Sequence, residues 1–176
     1  MKTSLRTELQ ARRFVGAATA SAIALLTACA STSGSRSSVA RPEVRAHALR
    51  LAPGRDVLNE LKAYVSSHHL KAASIVSAVG SLKTANFRFA NQSNGKKLNG
   101  HFEVTGMSGV IAESGAHVHA SIADETGKTS GGHLLEGNLV YTTLEVVILE
   151  YPHLEFAREL DSESGYKELV IKPIDY

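Results

Sequence analysis

The feature that most constrains this chain is a turn flanked by histidines. Asp124-Glu125-Thr126-Gly127-Lys128 is turn chemistry between two β-like segments, one containing His117-Val118-His119 and the other Gly131-Gly132-His133. A three-residue loop with Gly127 in the left-handed region pairs Asp124 with Lys128. Counting outward from that pair sets His119 opposite His133 and leaves His117 on the diagonal. Residues i and i+2 of a strand share a face, so the three imidazoles converge. A loop longer or shorter by one residue would send His133 to the other face. Three imidazoles with no thiol or acid among them form the ligand set of an open metal site, such as a three-histidine zinc centre.

The chain's 176 residues suffice for one domain with a substantial core. Its charge is unevenly placed. Residues 1–29 hold four of the 19 Lys and Arg but only one of the 17 Asp and Glu, which leaves 15 basic against 16 acidic residues in the rest. The pI near 8.7 therefore belongs to residues 1–29. Non-specific affinity for nucleic acid comes mainly from Lys and Arg on phosphates, and no such excess survives in the remainder.

Residues 1–29 have the parts of a bacterial export signal: a basic start ending in Arg12-Arg13, an apolar run of 13 residues from Phe14 to Leu26, and small residues after it. That run is short of the roughly 20 residues that span a bilayer. The segment closes on Leu26-Thr27-Ala28-Cys29, which resembles the lipobox of bacterial lipoproteins, where the cysteine is lipidated and becomes the mature N-terminus. Cys29 is the chain's one cysteine, so the mature domain can form no internal disulfide. These features imply a lipid anchor in the bacterial cell envelope, with the domain facing the periplasm or the surface. Residues 30–42 read as a flexible Ser- and Gly-rich tether.

The domain is expected over residues 43–174. An alternating strand from Glu43 stops at Pro53-Gly54, and Asp56 caps a helix whose apolar positions are Val57, Leu58, Leu61, Tyr64 and Val65. His68-His69 fall at the end of that helix, where a histidine meets the negative end of its dipole. A buried strand follows from Ala72 to Val79, with further strands at Asn86–Phe89 and His101–Thr105, in which His101 faces solvent. Gly106 and Gly109 bracket a bend. Leu139–Glu150 is the longest β-like run, with Val140, Leu144, Val146 and Ile148 on one face and Val147 and Leu149 on the other, a pattern of burial on both sides. A helix-like stretch, Leu154–Leu160, leads to a last strand, Glu168–Lys172. Many strands with helices and no βαβ rhythm argue for an α+β fold, a mainly antiparallel sheet flanked by helices.

The order Arg50-Leu51-Ala52-Pro53-Gly54-Arg55-Asp56, Ser77-Ala78-Val79-Gly80-Ser81-Leu82, His117-Val118-His119, Gly131-Gly132-His133-Leu134-Leu135-Glu136-Gly137 and Thr143-Leu144-Glu145 resembles the PPC domain, shared by plants and prokaryotes. The resemblance covers about residues 43–174. It implies a compact homotrimer with a twisted, mainly antiparallel sheet, and metal binding, usually of zinc, by His117, His119 and His133. Plant members join the domain to AT-hooks and bind DNA. This chain has no Arg-Gly-Arg-Pro hook and carries an export signal instead.

The sequence thus supports a lipid-anchored, trimeric binder of a divalent metal, with a structural or ligand-binding role and an unnamed small-molecule ligand. Glu145, a carboxylate in mid-strand, either hydrogen-bonds a metal-bound imidazole or takes an edge position or a salt bridge at a subunit boundary, and Glu136 is a further candidate to support the imidazoles. The alternatives are a DNA-binding protein and a metal-dependent hydrolase in which one of these glutamates is the base. No catalytic residue is assigned.

Overall fold

The structure, a computed structural model, describes residues 43–174. The expected signal at 1–29, with Cys29, and the tether at 30–42 lie outside the described residues. The elements are β1 (Arg45–Leu51), α1 (Val57–Ser67), β2 (Ala73–Arg88), β3 (Lys96–Ala112), β4 (Gly115–Ala123), β5 (Thr129–Leu134), β6 (Leu139–Glu150), β7 (Leu154–Leu160) and β8 (Lys167–Pro173).

The helix forms where its cap and apolar stripe predict. Asp56 takes an extended conformation and its Oδ1 accepts from the Asn59 amide, 3.1 Å away. Its Oδ2 accepts from the Gly137 amide, so one carboxylate both starts α1 and holds the loop before β6. Val57, Leu58, Leu61 and Val65 bury one face of α1 in the main core, beside Leu51, Val140 and Leu144. The helix ends on His68, whose amide bonds the Tyr64 carbonyl. Tyr64 also ties α1 to the sheet, with its hydroxyl 3.0 Å from His47 Nδ1, and His47 Nε2 lies 3.2 Å from Glu150 Oε2.

Six strands form one antiparallel sheet in the order β1-β6-β2-β3-β4-β5, and β5 also pairs with β2. The circuit β2-β3-β4-β5 therefore closes on itself. Register shifts between Ile75 and Ser77, Gly80 and Leu82, and Leu82 and Thr84 mark where β2 bends. The segments expected as separate strands at Ala72–Val79 and Asn86–Phe89 are thus one bulged strand. The bend expected at Gly106 and Gly109 is likewise only a shift between Val104 and Gly106 inside a continuous β3.

The α+β expectation is not met. The fold is mostly antiparallel sheet, 62% strand against 8% helix, and α1 is the single helix among the described residues. The error lies at Leu154–Leu160. Its Leu, Glu, Ala and Arg are good helix formers, yet seven residues are too few to repay helix nucleation without tertiary support. Pairing with β8 satisfies the backbone instead, and the alternation buries Phe156 against Ala72 and Ala112.

Strand β6 also differs from expectation. Val140, Leu144, Val146 and Ile148 are buried as the alternation predicts, but the opposite face is open in the single chain, with Val147 37% and Tyr141 43% exposed. Val79 of β2, paired with Glu145 on that face, is 62% exposed.

One buried polar residue joins these parts. Asn138 is 0% exposed. Its Oδ1 accepts from the Asn86 amide at 3.0 Å, and its Nδ2 donates to the Asn86 carbonyl at 3.0 Å and the Leu135 carbonyl at 2.6 Å. It replaces ladder bonds between β2 and the chain leaving β5. An unmade buried hydrogen bond costs about 1–3 kcal/mol, so Asn138→Leu, similar in size, should lose about 3 kcal/mol or more in urea denaturation. A loss below about 1 kcal/mol would show that Asn138 does not clamp these strands.

Candidate metal centre

The histidine hairpin is built by its turn. Asp124 Oδ1 accepts from the Thr126 amide and hydroxyl at 2.9 and 2.6 Å and from the Lys128 amide at 3.0 Å. These bonds, the Thr126 hydroxyl first, hold the Asp124 carboxyl below its usual pKa. Gly127 has φ +81°, the left-handed value expected of it, and the Asp124 amide bonds the Lys128 carbonyl at 3.0 Å. The register that follows pairs His119 with His133.

On its other edge β5 is held by β2, through Phe87–Leu134 and Arg88–His133. Gly132 makes that approach possible, because a Cβ there would crowd the Arg88 carbonyl. His133 is therefore fixed from both sides, next to His119 on β4 and Arg88 on β2.

The three imidazoles meet. Ring centroids lie 5.1 Å apart for His117 and His119, 4.8 Å for His117 and His133, and 4.3 Å for His119 and His133. One nitrogen from each ring can be chosen so that all three lie within 4.8 Å of one another. His119 Nε2 and His133 Nδ1 are 3.2 Å apart. Two nitrogens bound tetrahedrally at about 2.0–2.1 Å from zinc lie about 3.3 Å apart, so this pair has the spacing of two ligands of one ion. The same spacing suits an N–H···N hydrogen bond between neutral rings.

The surroundings disfavour protonation of His133 and His117. Burial is the main cause lowering the pKa of His133 to about 4, followed by Arg88, His119, His117 and Arg158. His117 is lowered as well, by burial first, then by Arg158 and His119, with Glu168 opposing. A neutral imidazole offers a lone pair, the form that a metal requires.

Among the described residues, neither glutamate proposed to support the rings is hydrogen-bonded to them. Glu136 Oε1 is 2.9 Å from Lys62 Nζ, on the side of α1. Glu145 is exposed on β6, opposite Arg50 of β1 and Val79 of β2. The His101 ring is tilted against Tyr141, with centroids 4.3 Å apart, and His68 and His69 follow α1, all apart from the hairpin. What sequence reasoning missed is cationic. Arg88, Arg158 and Lys167 line a cleft of about 990 Å³ that His117 and His133 also line. Arg88 was legible as the polar position of an alternating strand, whereas the arrival of β7 and β8 beside the histidines left no local signal.

Comparison with known proteins gives a consistent family. The chain is 40% identical over 131 residues to the bifunctional protein GlmU of Synechococcus sp. (strain JA-2-3B'a(2-13)), an alignment covering 74% of this chain and 21% of that protein. The chain thus spans about a fifth of the length of the curated relatives it matches, 21% in each case. A solved hypothetical protein from Salmonella enterica is 41% identical, with a TM-score of 0.74 over 76% of this chain and 96% of that one. A protein from Ralstonia eutropha JMP134, named for DNA binding, is 28% identical, with a TM-score of 0.61 over 71% of this chain and 89% of that one. Residues 39–152 match the family model described as the Plants and Prokaryotes Conserved (PCC) domain, and the chain belongs to that family.

Proposed function

We propose that this protein binds one divalent metal ion, zinc, through His117, His119 and His133, in an exported, lipid-anchored homotrimer. The carrying observation is the set of three imidazole nitrogens within 4.8 Å of one another on two paired strands. The depressed pKa of His133 and His117 supports it, because neither ring needs to lose a proton to a metal at neutral pH. Zinc held by three neutral imidazoles would supply a Lewis acid with a position open to an oxygen ligand.

A structural or ligand-binding role is preferred to hydrolysis, since Glu136 is paired with Lys62 and Glu145 lies on the exposed face of β6, and neither is hydrogen-bonded to an imidazole. DNA binding is the name of the Ralstonia relative. The charge balance beyond residue 29, 15 basic against 16 acidic, argues against it here.

Metal analysis of the purified full chain should find one zinc per chain. Structural zinc sites are worth about 10–16 kcal/mol over four ligands, about 3 kcal/mol each, so His119→Ala or His133→Ala should weaken affinity about 100-fold. Failure of the wild type to take up zinc in a titration would end the metal reading.

The same rings make metal-free protein acid-sensitive. Unfolded His133 takes a proton near the usual 6.5, but the folded form does so only at about 4. Stability is therefore fully present above pH 6.5 and is lost as pH falls towards 4. The urea midpoint of chelated protein should fall between pH 7.5 and 4.5, and fall less in His133→Gln. An equal fall in both would assign the loss to other groups.

The trimer is supported by the exposed Val79, Tyr141 and Val147, large apolar side chains that share an open face of β2 and β6 with Glu145 and suit burial between subunits. Residues 1–29 support the anchor, with lipidation at Cys29. Wild-type protein should fractionate with membranes and show three times the chain mass in detergent. Cys29→Ser should lose incorporation of labelled fatty acid with its trimer mass unchanged. A monomeric wild type, or fatty-acid labelling that survives in Cys29→Ser, would refute the corresponding half of the reading.

A further inference from the structure

We propose that the cleft beside the histidines binds a small molecule through a carboxylate or phosphate group, gripped by Arg88 and Arg158. The proposal stands on the two arginines and does not need the metal.

The cleft is sized for such a ligand. Its volume of about 990 Å³ is at the upper end of small-molecule pockets. Its walls come from distant parts of the chain: the end of β2 with Arg88, the β3–β4 turn at Ser114 and Gly115, and the β7–β8 hairpin with Arg158, Lys167 and Glu168. The hairpin lies beyond the residues 39–152 that match the family model. Its position is fixed by Phe156, buried against Ala72 and Ala112, and by the Ser114 hydroxyl, which donates to the Phe156 carbonyl at 2.6 Å. Arg158, two residues on, thus projects from an anchored strand.

The charge of the lining is one-sided. Three cations, Arg88, Arg158 and Lys167, face a single acid, Glu168, which accepts from the Ser164 hydroxyl at 3.0 Å. Among the described residues neither Arg88 nor Arg158 is in an ion pair with a carboxylate. Arg158 Nη1 donates to the Lys167 carbonyl at 3.2 Å, which orients its guanidinium and leaves other N–H groups for a ligand. Two guanidinium groups held close to neutral imidazoles create a positive potential that a solvated arginine on an open face would not. Planar N–H forks match carboxylate and phosphate oxygens in paired hydrogen bonds, and a half-enclosed wall strengthens them.

Such an anion would also relieve repulsion between the arginines and a cation on the histidines. Metal and anion should therefore favour each other's binding.

The test is calorimetric titration of the full-chain protein with malonate and with inorganic phosphate, each in chelator and with one equivalent of zinc, zinc content being measured on the same samples. At least one anion should bind saturably at one per chain, and its Kd should weaken at least about tenfold in Arg88→Gln and Arg158→Gln but not in Lys83→Gln, an exposed position on β2. Arg158→Lys, which keeps the charge and loses the fork, should fall between. Preference for malonate assigns a carboxylate ligand and preference for phosphate a phosphorylated one. The proposal is overturned if neither anion saturates, or if both glutamine variants bind as the wild type does. Should Arg158→Gln unfold in circular dichroism, Arg88→Gln and Arg158→Lys decide. Anion binding in chelator without zinc uptake would sustain this proposal and refute the metal reading, and zinc uptake without anion binding would do the reverse.

Discussion

The site depends on β5 being hydrogen-bonded along both edges. This strand has six residues, too few to hold a side chain in place by its own stiffness. It borrows its position from β4 at Thr129–His133 and from β2 at His133–Leu134. His133 is the residue common to both pairings, so neither neighbour can shift without moving its ring. Asp124 sets the register on the β4 side, and Asn138 clamps Asn86 and Leu135 on the β2 side. The convergence of three imidazoles is therefore a property of the closed circuit β2-β3-β4-β5, of which the hairpin is only one part.

That closure explains the electrostatics as well. Bringing β2 against β5 places Arg88 beside His133, and the Ser114–Phe156 bond brings β7, with Arg158, beside His117. Burial and positive charge act in the same direction on an imidazole, since both oppose protonation. Two arginines next to histidines would be an odd choice for a site meant to attract a bare cation. They are consistent with a site where the cation arrives with, or is completed by, an oxygen anion. The charge balance of the chain beyond residue 29 does not predict this local excess of positive charge.

Much of the fold was legible wherever adjacent residues carry the instruction. The Asp124–Lys128 turn specifies a three-residue loop through the φ of Gly127, and the face of α1 follows from Val57, Leu58, Leu61 and Val65 behind the Asp56 cap. The buried face of β6 follows from simple alternation. What was illegible depends on partners far along the chain. Leu154–Leu160 reads as helix by composition and becomes strand because β8 and the Phe156 pocket are there. Asn138 looks like a loop residue after Gly137, and only the approach of β2, 52 residues earlier, turns it into a buried clamp. The glutamates at 136 and 145 belong to motifs that resemble the family, but proximity in sequence to a histidine carries no information about which sheet edge a carboxylate reaches.

The open face of β2 and β6 lies on a different part of the sheet from the histidines. Val79 and Val147 sit on β2 and β6, while His117, His119 and His133 sit on β4 and β5. A partner subunit covering this face would bury the exposed Val79, Tyr141 and Val147, where β6 is otherwise covered on one side alone. The histidine cleft needs no such cover to be formed, because β2, β5 and the β7–β8 hairpin already supply its walls. On the proposed reading, assembly and ligand binding would therefore be separable, and a change that dissolved the proposed trimer need not abolish the cleft.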